Sequence, residues 1–315
     1  MRWLRRTASE PRLVPDLNTS DRRWAVYYGW PSLVNGVGGD CSRAAAEFSA
    51  FRVLVLGDGL HDPAHSDHLR TRRIVAELSA RGTTLTYGYV DLGVSTSNHS
   101  LETLGAVVLA WADLGAGGVM LDDAGTDYGV TRDRLNGALG LLHARNLRAI
   151  VNAWDPDDVL DRTVRLRPGD GYLAESFPIG RGRVRPPMEW AGKADRIASA
   201  RRGRQIDVYA VATGDDLRGD DAFRSKVDYA WWAALLYGFE YVQYTHPGYS
   251  AVEPGANVLV PHSVNRAAIG TRYVGPVVHS RDGMRHERRT NAGTIMVELD
   301  GEVPRSGFNA DVLDP

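Results

Sequence analysis

A chain of 315 residues with 43% hydrophobic and 24% charged content can bury one large core, as a single big domain or as one with a small appendage. Its formal net charge of −2 gives no electrostatic reason to hold nucleic acid or an anionic membrane, and its positive charge is nearly all arginine, with Lys193 and Lys226 as the two lysines. One cysteine, Cys41, excludes an intrachain disulfide and a cysteine-built zinc cage, and no apolar run reaches the ~20 residues of a membrane span.

Residues 1–22 are polar, carry Pro11 and Pro15 and show no period, which predicts an extended arm. They hold no apolar h-region of ~7–15 residues. The expectation is a protein that is cytoplasmic as synthesised, acting outside the cell only within an exported or particle-associated assembly.

The first strand is expected in WAVYYGWPS, 24–32, which stops at Gly29 and Pro31. Helix-like SRAAAEFSAF leads to FRVLVLGDG, 51–59, apolar without alternation, as in a parallel strand covered on both faces, and ending on Asp58. The unit then recurs: a helix over 67–82 with Gly82 as C-cap, a strand over 84–93 ending on Asp91, a helix over 101–118, and GGVMLDDAG at 117–125. A helix over 131–146 follows, then RAIVNAW at 148–154, a strand ending on Asn152 and Trp154. Asp155 before Pro156 reads as the N-cap of DPDDVLDRTVRL, so Asp155, Asp157 and Asp158 belong to a helix start rather than to a site. GYLAESFP is the sixth strand, PPMEWAGKADRIASARRG a helix, and QIDVYAVATG, 205–214, the seventh strand. The apolar helix over 222–239 takes Trp231 and Trp232 into the core, and EYVQYTHPGYS, 240–250, is the eighth strand.

Eight strands alternating with helices, at roughly 25–35-residue intervals, are the rhythm of one parallel barrel. The first turn, YYGWPSLVNGVGG, lacks the G-x-G-x-x-G of a doubly wound dinucleotide fold. The expected fold is therefore α/β, a (β/α)8 TIM barrel over 23–272, with a last helix within 261–270. Beyond it RHERRTNAGTIMVELDG alternates around a turn at 291–293, which predicts a small antiparallel hairpin and tail over 273–315, packed on the barrel.

In such a barrel the carboxyl ends of the strands form the mouth. They supply Tyr28, Trp30, Asp58, Tyr89, Asp91, Asp122, Asp123, Asn152, Trp154, Glu175, Tyr209, Thr213, Tyr244 and His246. Acids and aromatics dominate this set. Flat rings suit the C–H faces of sugars, and carboxylates suit both their hydroxyls and the acid and nucleophile or base that a glycosidic bond requires. Asp122, the first polar residue after GGVML, should enter the pocket, while Asp123 would point away if the strand continued through it. Glu175 ends an otherwise apolar strand, where desolvation favours an acid. Asp122 and Glu175 are thus the expected catalytic pair. The other mouth residues, except Thr213, are expected to bind substrate.

The run HDPAHSDH at 61–68 gathers three histidines, yet its spacing fits no standard zinc motif, and a loop capping the helix that starts near Asp67 explains it with less. Ser176 lacks the G-x-S-x-G elbow. No metal and no cofactor are expected.

The order YYGW, YGYVDLG, GGVMLDDAG, VNAW and ESF resembles the barrel glycosidases related to the endo-α-1,4-polygalactosaminidases, glycoside hydrolase family 114, and their spherulin-4-like neighbours. The resemblance spans about residues 24–250 and is most specific in GGVMLDDAG, similar to the family's Gly-Val-x-x-Asp segment. It implies Asp122 as nucleophile and Glu175 as general acid/base, on an amino-sugar polymer. The family often has Asp-Asn where this chain has Asp122-Asp123. The expected function is a polysaccharide hydrolase working through two carboxylates with retention. The alternative is a barrel that binds glycans without cutting them, attached to a cell-surface or phage-like assembly through its arm or hairpin.

Overall fold

The computed structural model describes residues 23–214, 221–249, 258–262 and 269–310. The arm expected over 1–22, most of the helix expected within 261–270 and the end of the tail lie outside them. Among the described residues no helix is long and apolar enough to cross a membrane.

The chain forms strands β1 (Trp24–Tyr27), β2 (Val53–Leu56), β3 (Leu85–Asp91), β4 (Gly118–Asp122), β5 (Arg148–Asn152) and β6 (Gly171–Ala174). A two-stranded hairpin, β7 (Ile179–Gly180) and β8 (Arg183–Val184), then precedes β9 (Asp207–Thr213) and β10 (Tyr241–Thr245). The eight longer strands pair in parallel in chain order, from β1 through β6 to β9 and β10. The connecting helices are α1 (Cys41–Phe48), α2 (His68–Arg81), α3 (Leu101–Leu114), α4 (Arg132–His143), α5 (Pro156–Leu160), α6 (Pro187–Ala200) and α7 (Asp221–Tyr237). This is the TIM barrel expected from the strand rhythm.

Local chemistry sets the helix ends. Asp40, Ser100, Thr131 and Asp155 each accept a backbone N–H in the first turn of α1, α3, α4 and α5, and Gly82 and Gly115 end α2 and α3 in the left-handed region. Helix α5 stops at Leu160, well short of the segment expected through residue 166. Asp67 does not cap α2 with its side chain as expected. Its fully buried carboxyl instead accepts from the Ser32 hydroxyl at 2.5 Å and the Ser32 amide at 3.0 Å, tying the turn after β1 to the start of α2.

The barrel nearly closes on itself at β1 and β10. Arg23 bridges Val242, and the Gln243 side chain finishes the seam, its oxygen accepting from Val26 N at 2.8 Å and its amide donating to Val26 O at 3.2 Å. A side chain here supplies hydrogen bonds that a longer ladder would otherwise make.

Alternation along each strand divides two cores. Trp24, Val26, Val53, Val55, Tyr87, Met120, Ile150, Leu173, Tyr209 and Val211 fill the interior, while the alternate residues pack against the helices. Trp231 and Trp232 are buried in that outer layer.

The C-terminal region is larger than the single hairpin expected. It is a four-stranded antiparallel sheet of β11 (Val278–His279), β12 (Arg285–Arg289), β13 (Gly293–Asp300) and β14 (Val303–Ala310), with the turn at 291–293 where it was anticipated. The sheet docks on α6 and α7. His286 meets Trp190 edge to face at 4.9 Å, Arg288 donates to Leu236 O at 2.9 Å, and Ile295 and Val297 enter the core.

Candidate active site

Three neighbouring strands bring the expected pair together. Asp122 ends β4, Asn152 ends β5 and Glu175 follows β6, each on an inward position two residues beyond the buried Met120, Ile150 and Leu173. The Asn152 amide nitrogen donates to Asp122 Oδ1 at 2.6 Å and to Glu175 Oε2 at 3.3 Å. Two legs meeting at one nitrogen keep these oxygens within about 6 Å of each other. That ceiling is below the ~6.5–9.5 Å of an inverting pair.

Tyrosines wall this pair. Tyr89 stands close enough to Asp122 for that carboxyl to raise its phenol, and Tyr249 donates to Glu175 Oε1 at 3.1 Å. Tyr28 lies edge-on to Tyr89 with ring centres 5.3 Å apart and stacks on Tyr249 at 6.4 Å. Close packing fixes their rings from behind. A Cβ on Gly57 would sit 2.2 Å from the Tyr28 ring, and one on Gly88 would sit 2.1 Å from the Trp111 ring, whose Nε1 donates to Tyr89 O. Only glycine leaves room at either place.

The acids are crowded. Desolvation first, then the neighbouring carboxylates Asp123 and Glu175, push the Asp122 carboxyl up to about 7, against the lowering effect of the Asn152 donor. Strand β4 stops at Asp122, and Asp123 takes φ 50, so Asp123 does not point away as continued alternation would require. Desolvation and Asp91 push Asp123 up to about 6, partly offset by a hydrogen bond from Tyr128.

The other expected site residues divide by place. Asp91 turns into its own loop, accepting from Gly93 N at 2.8 Å and the Thr96 hydroxyl at 2.7 Å. Trp30, Asp58 and His65 form a cluster beyond the ends of β1 and β2, with the Trp30 and His65 rings 5.5 Å apart and His65 Nε2 at 3.5 Å from Asp58. Trp154 is half-exposed beside α6. Tyr209 faces inward but lies on the barrel floor, stacked on Tyr241 at 4.6 Å, below the mouth. Tyr244 faces the helical layer, against Phe223 and His262, because the inward positions of β10 are those of Tyr241 and Gln243. His246 accepts from Gly248 N at 3.0 Å, supporting the short turn that carries Tyr249. Thr213 likewise serves the backbone, its hydroxyl accepting from Arg181 N at 2.8 Å.

The sequence gives no sign of Tyr249, Arg185 and Lys193 at the mouth. Tyr249 lies past the last strand, and the two cations lie on the hairpin-to-α6 segment, where aromatic and basic residues carry no strand-end signal. Of the 61–68 histidines, His68 turns into its own loop, Nδ1 at 2.9 Å from Leu60 O, while the His61 ring packs on Trp111 at 5.2 Å. No group of three or more His, Cys, Asp or Glu among the described residues is arranged to hold a metal ion.

No protein-family model matches the chain, and no curated protein sequence does. Solved structures do share its fold. A glycoside hydrolase family 27 β-L-arabinopyranosidase from Geobacillus stearothermophilus, in complex with arabinose, is 7% identical, with 90% of this chain and 86% of that one covered at a TM-score of 0.55. A monomeric β-xylosidase from Caulobacter crescentus CB15 is 13% identical over 90% and 75% of the two chains, with a TM-score of 0.45. A tetrameric deoxyribose phosphate aldolase from Aeropyrum pernix is 16% identical over 73% and 86%, with a TM-score of 0.42. A likeness at 7% identity shows the fold alone. Chemistry has to be argued from the residues at its mouth.

Proposed function

We propose that the barrel is a glycoside hydrolase that cleaves a polysaccharide with Asp122 and Glu175, and with retention of configuration. The observation that carries this reading is the shared Asn152 donor, which draws one oxygen of each carboxyl to a single amide nitrogen under a wall of tyrosines. In this mechanism one carboxylate attacks the anomeric carbon while the other, as a carboxylic acid, gives its proton to the departing oxygen. The second then takes a proton from the water that releases the sugar. Tyr249 and Asn152 orient the two groups through their hydrogen bonds.

The likeness to the polygalactosaminidase family gives Asp122 the attack and Glu175 the proton. It also makes an amino-sugar polymer the substrate, for which the acids at Asp122, Asp123 and Glu175 offer complementary charge. One observation favours the exchanged roles. Asp122 is the carboxyl whose environment raises its proton affinity to about 7, as suits an acid.

Azide rescue separates the two. In the variant lacking the acid, azide restores turnover on substrates with good leaving groups and gives a glycosyl azide of retained configuration; in the variant lacking the nucleophile the azide product is inverted. Family roles predict retention for Glu175→Ala and inversion for Asp122→Ala. An inverted free-sugar product from the unmodified protein would overturn the retaining mechanism.

A further inference from the structure

The mouth changes sign on the side where β5 and β6 meet α6. Here two cations gather on one ring: the Arg185 guanidinium carbon is 4.7 Å and Lys193 Nζ 4.8 Å from the centre of the Trp154 ring. That ring is 50% exposed, so solvent reaches the cluster. Arg185 is held in place, its Nε donating to Ser176 O at 3.0 Å and its Nη1 to Glu189 at 3.2 Å. Its Nη2 makes no hydrogen bond among the described residues.

Lys193 is the odd member. It has neither hydrogen bond nor ion-pair partner among the described residues, and the acid that acts on it most is Glu175. Desolvation, with Arg185 beside it, pushes its ammonium down to about 8. The next cation along α6 is different: Arg196 is already paired with Asp155 at 2.7 Å and Asp157 at 2.9 Å. Placing an unpaired, desolvated ammonium next to a guanidinium costs stability. Such a cost persists where a ligand supplies the missing counter-charge.

We infer that Arg185, Lys193 and the exposed Trp154 form a subsite for an anionic substituent on the sugar chain, a uronic carboxylate or a phosphate or sulfate ester, held beside Glu175. The guanidinium takes oxygens with its fixed donors, the ammonium adds a point charge, and the indole offers apolar surface to the sugar. The substituent so named narrows the proposed amino-sugar polymer to one that also carries acidic groups. It rests on reading the mouth as a glycan site.

Two lysines in the whole chain make the test direct. Isotope labelling at the lysine Cε carbons gives two lysine signals, and Lys226→Arg assigns that of Lys193. The probes are D-glucuronate and D-galacturonate, a hexose phosphate and a hexose sulfate, with glucose, galactose and galactosamine as controls. The Lys193 signal is expected to move with at least one anionic sugar and with none of the controls, while Lys226 stays still. Its titration midpoint should rise from about 8, because a bound anion favours the charged lysine. Arg185→Gln should weaken the response severalfold, and the sugar that gives it distinguishes carboxylate from ester. Silence toward every anionic sugar, or an equal response to the controls, overturns the inference. The readout needs no cleavage. A selective response in a protein that releases no product would sink the hydrolase reading alone, whereas cleavage of neutral glycans with a silent Lys193 would sink this one alone.

Discussion

Floor and mouth of the barrel stand two residues apart on the same four strands, and their energetics are opposite. Tyr87, Met120, Ile150 and Leu173 are buried in an apolar plug, whereas Tyr89, Asp122, Asn152 and Glu175, the next inward positions, bring like charges into buried or partly buried places. The plug is stabilised by what it removes from water. The mouth keeps an arrangement that folding alone would not favour, with a carboxyl raised to about 7 and an ammonium lowered to about 8. Substitutions in the two layers should therefore fail in different ways.

The largest effect is expected in the floor. Trp24 is fully buried, packs edge-on to Tyr209 at 4.9 Å and donates to Ala210 O, so Trp24→Ala should cost about 3–5 kcal/mol of unfolding free energy. Denaturant unfolding measures this. A loss below 1 kcal/mol would break the contrast.

Asn152→Ala should cost less stability, about 1–3 kcal/mol, and lower kcat/KM by about 10²-fold, because both carboxyls lose their common donor. A smaller effect is expected in the pH profile. With Asp122 as the acid, activity should fall as pH rises past about 7, where its proton is lost; with Asp122 as the nucleophile, activity should rise over the same range. In Asn152→Ala this limb should move upward, since the lost donor favoured the charged Asp122.

The smallest effect lies outside the barrel. Burial lowers His286 to about 4, so between about 6.5 and 4 the unfolded chain takes up a proton that the docked sheet refuses, and stability falls as pH drops through that window. Replacing His286 by Gln should flatten this part of the dependence, read as the difference in thermal midpoint between variant and parent across the window. An unchanged slope would contradict it.

What the sequence disclosed follows the same division. Strand rhythm and apolar runs give the barrel, and alternation puts Asp122 and Glu175 inward, because a strand buried on both faces leaves parity readable at its first polar residue. Parity misleads at β10. There the polar Gln243 turns inward to close the seam with Val26, and Tyr244 is carried to the helical layer. The left-handed turn at Asp123 and the arrival of Tyr249 from beyond the last strand depend on loop geometry, which has no period to read. Nor do Arg185 and Lys193 show a pattern, since α6 brings them to Trp154 only once the barrel has formed. In the C-terminal sheet the edge strand β14, with Pro304 and Gly307, lacks the alternation that marks β13.

The central claim is that two carboxyls at the mouth cleave a glycosidic bond. Product release from a panel of exopolysaccharides and cell-wall glycans, amino-sugar and uronic polymers included, measures it directly in the unmodified protein, Asp122→Asn and Glu175→Gln. The expected result is turnover in the first and a loss of roughly 10²–10⁴-fold or more in each amide. Both amides should unfold at or above the parent's temperature, because each removes a like charge from the cluster. Near-normal turnover in both amides, or binding without product from every glycan in the panel, would contradict the claim.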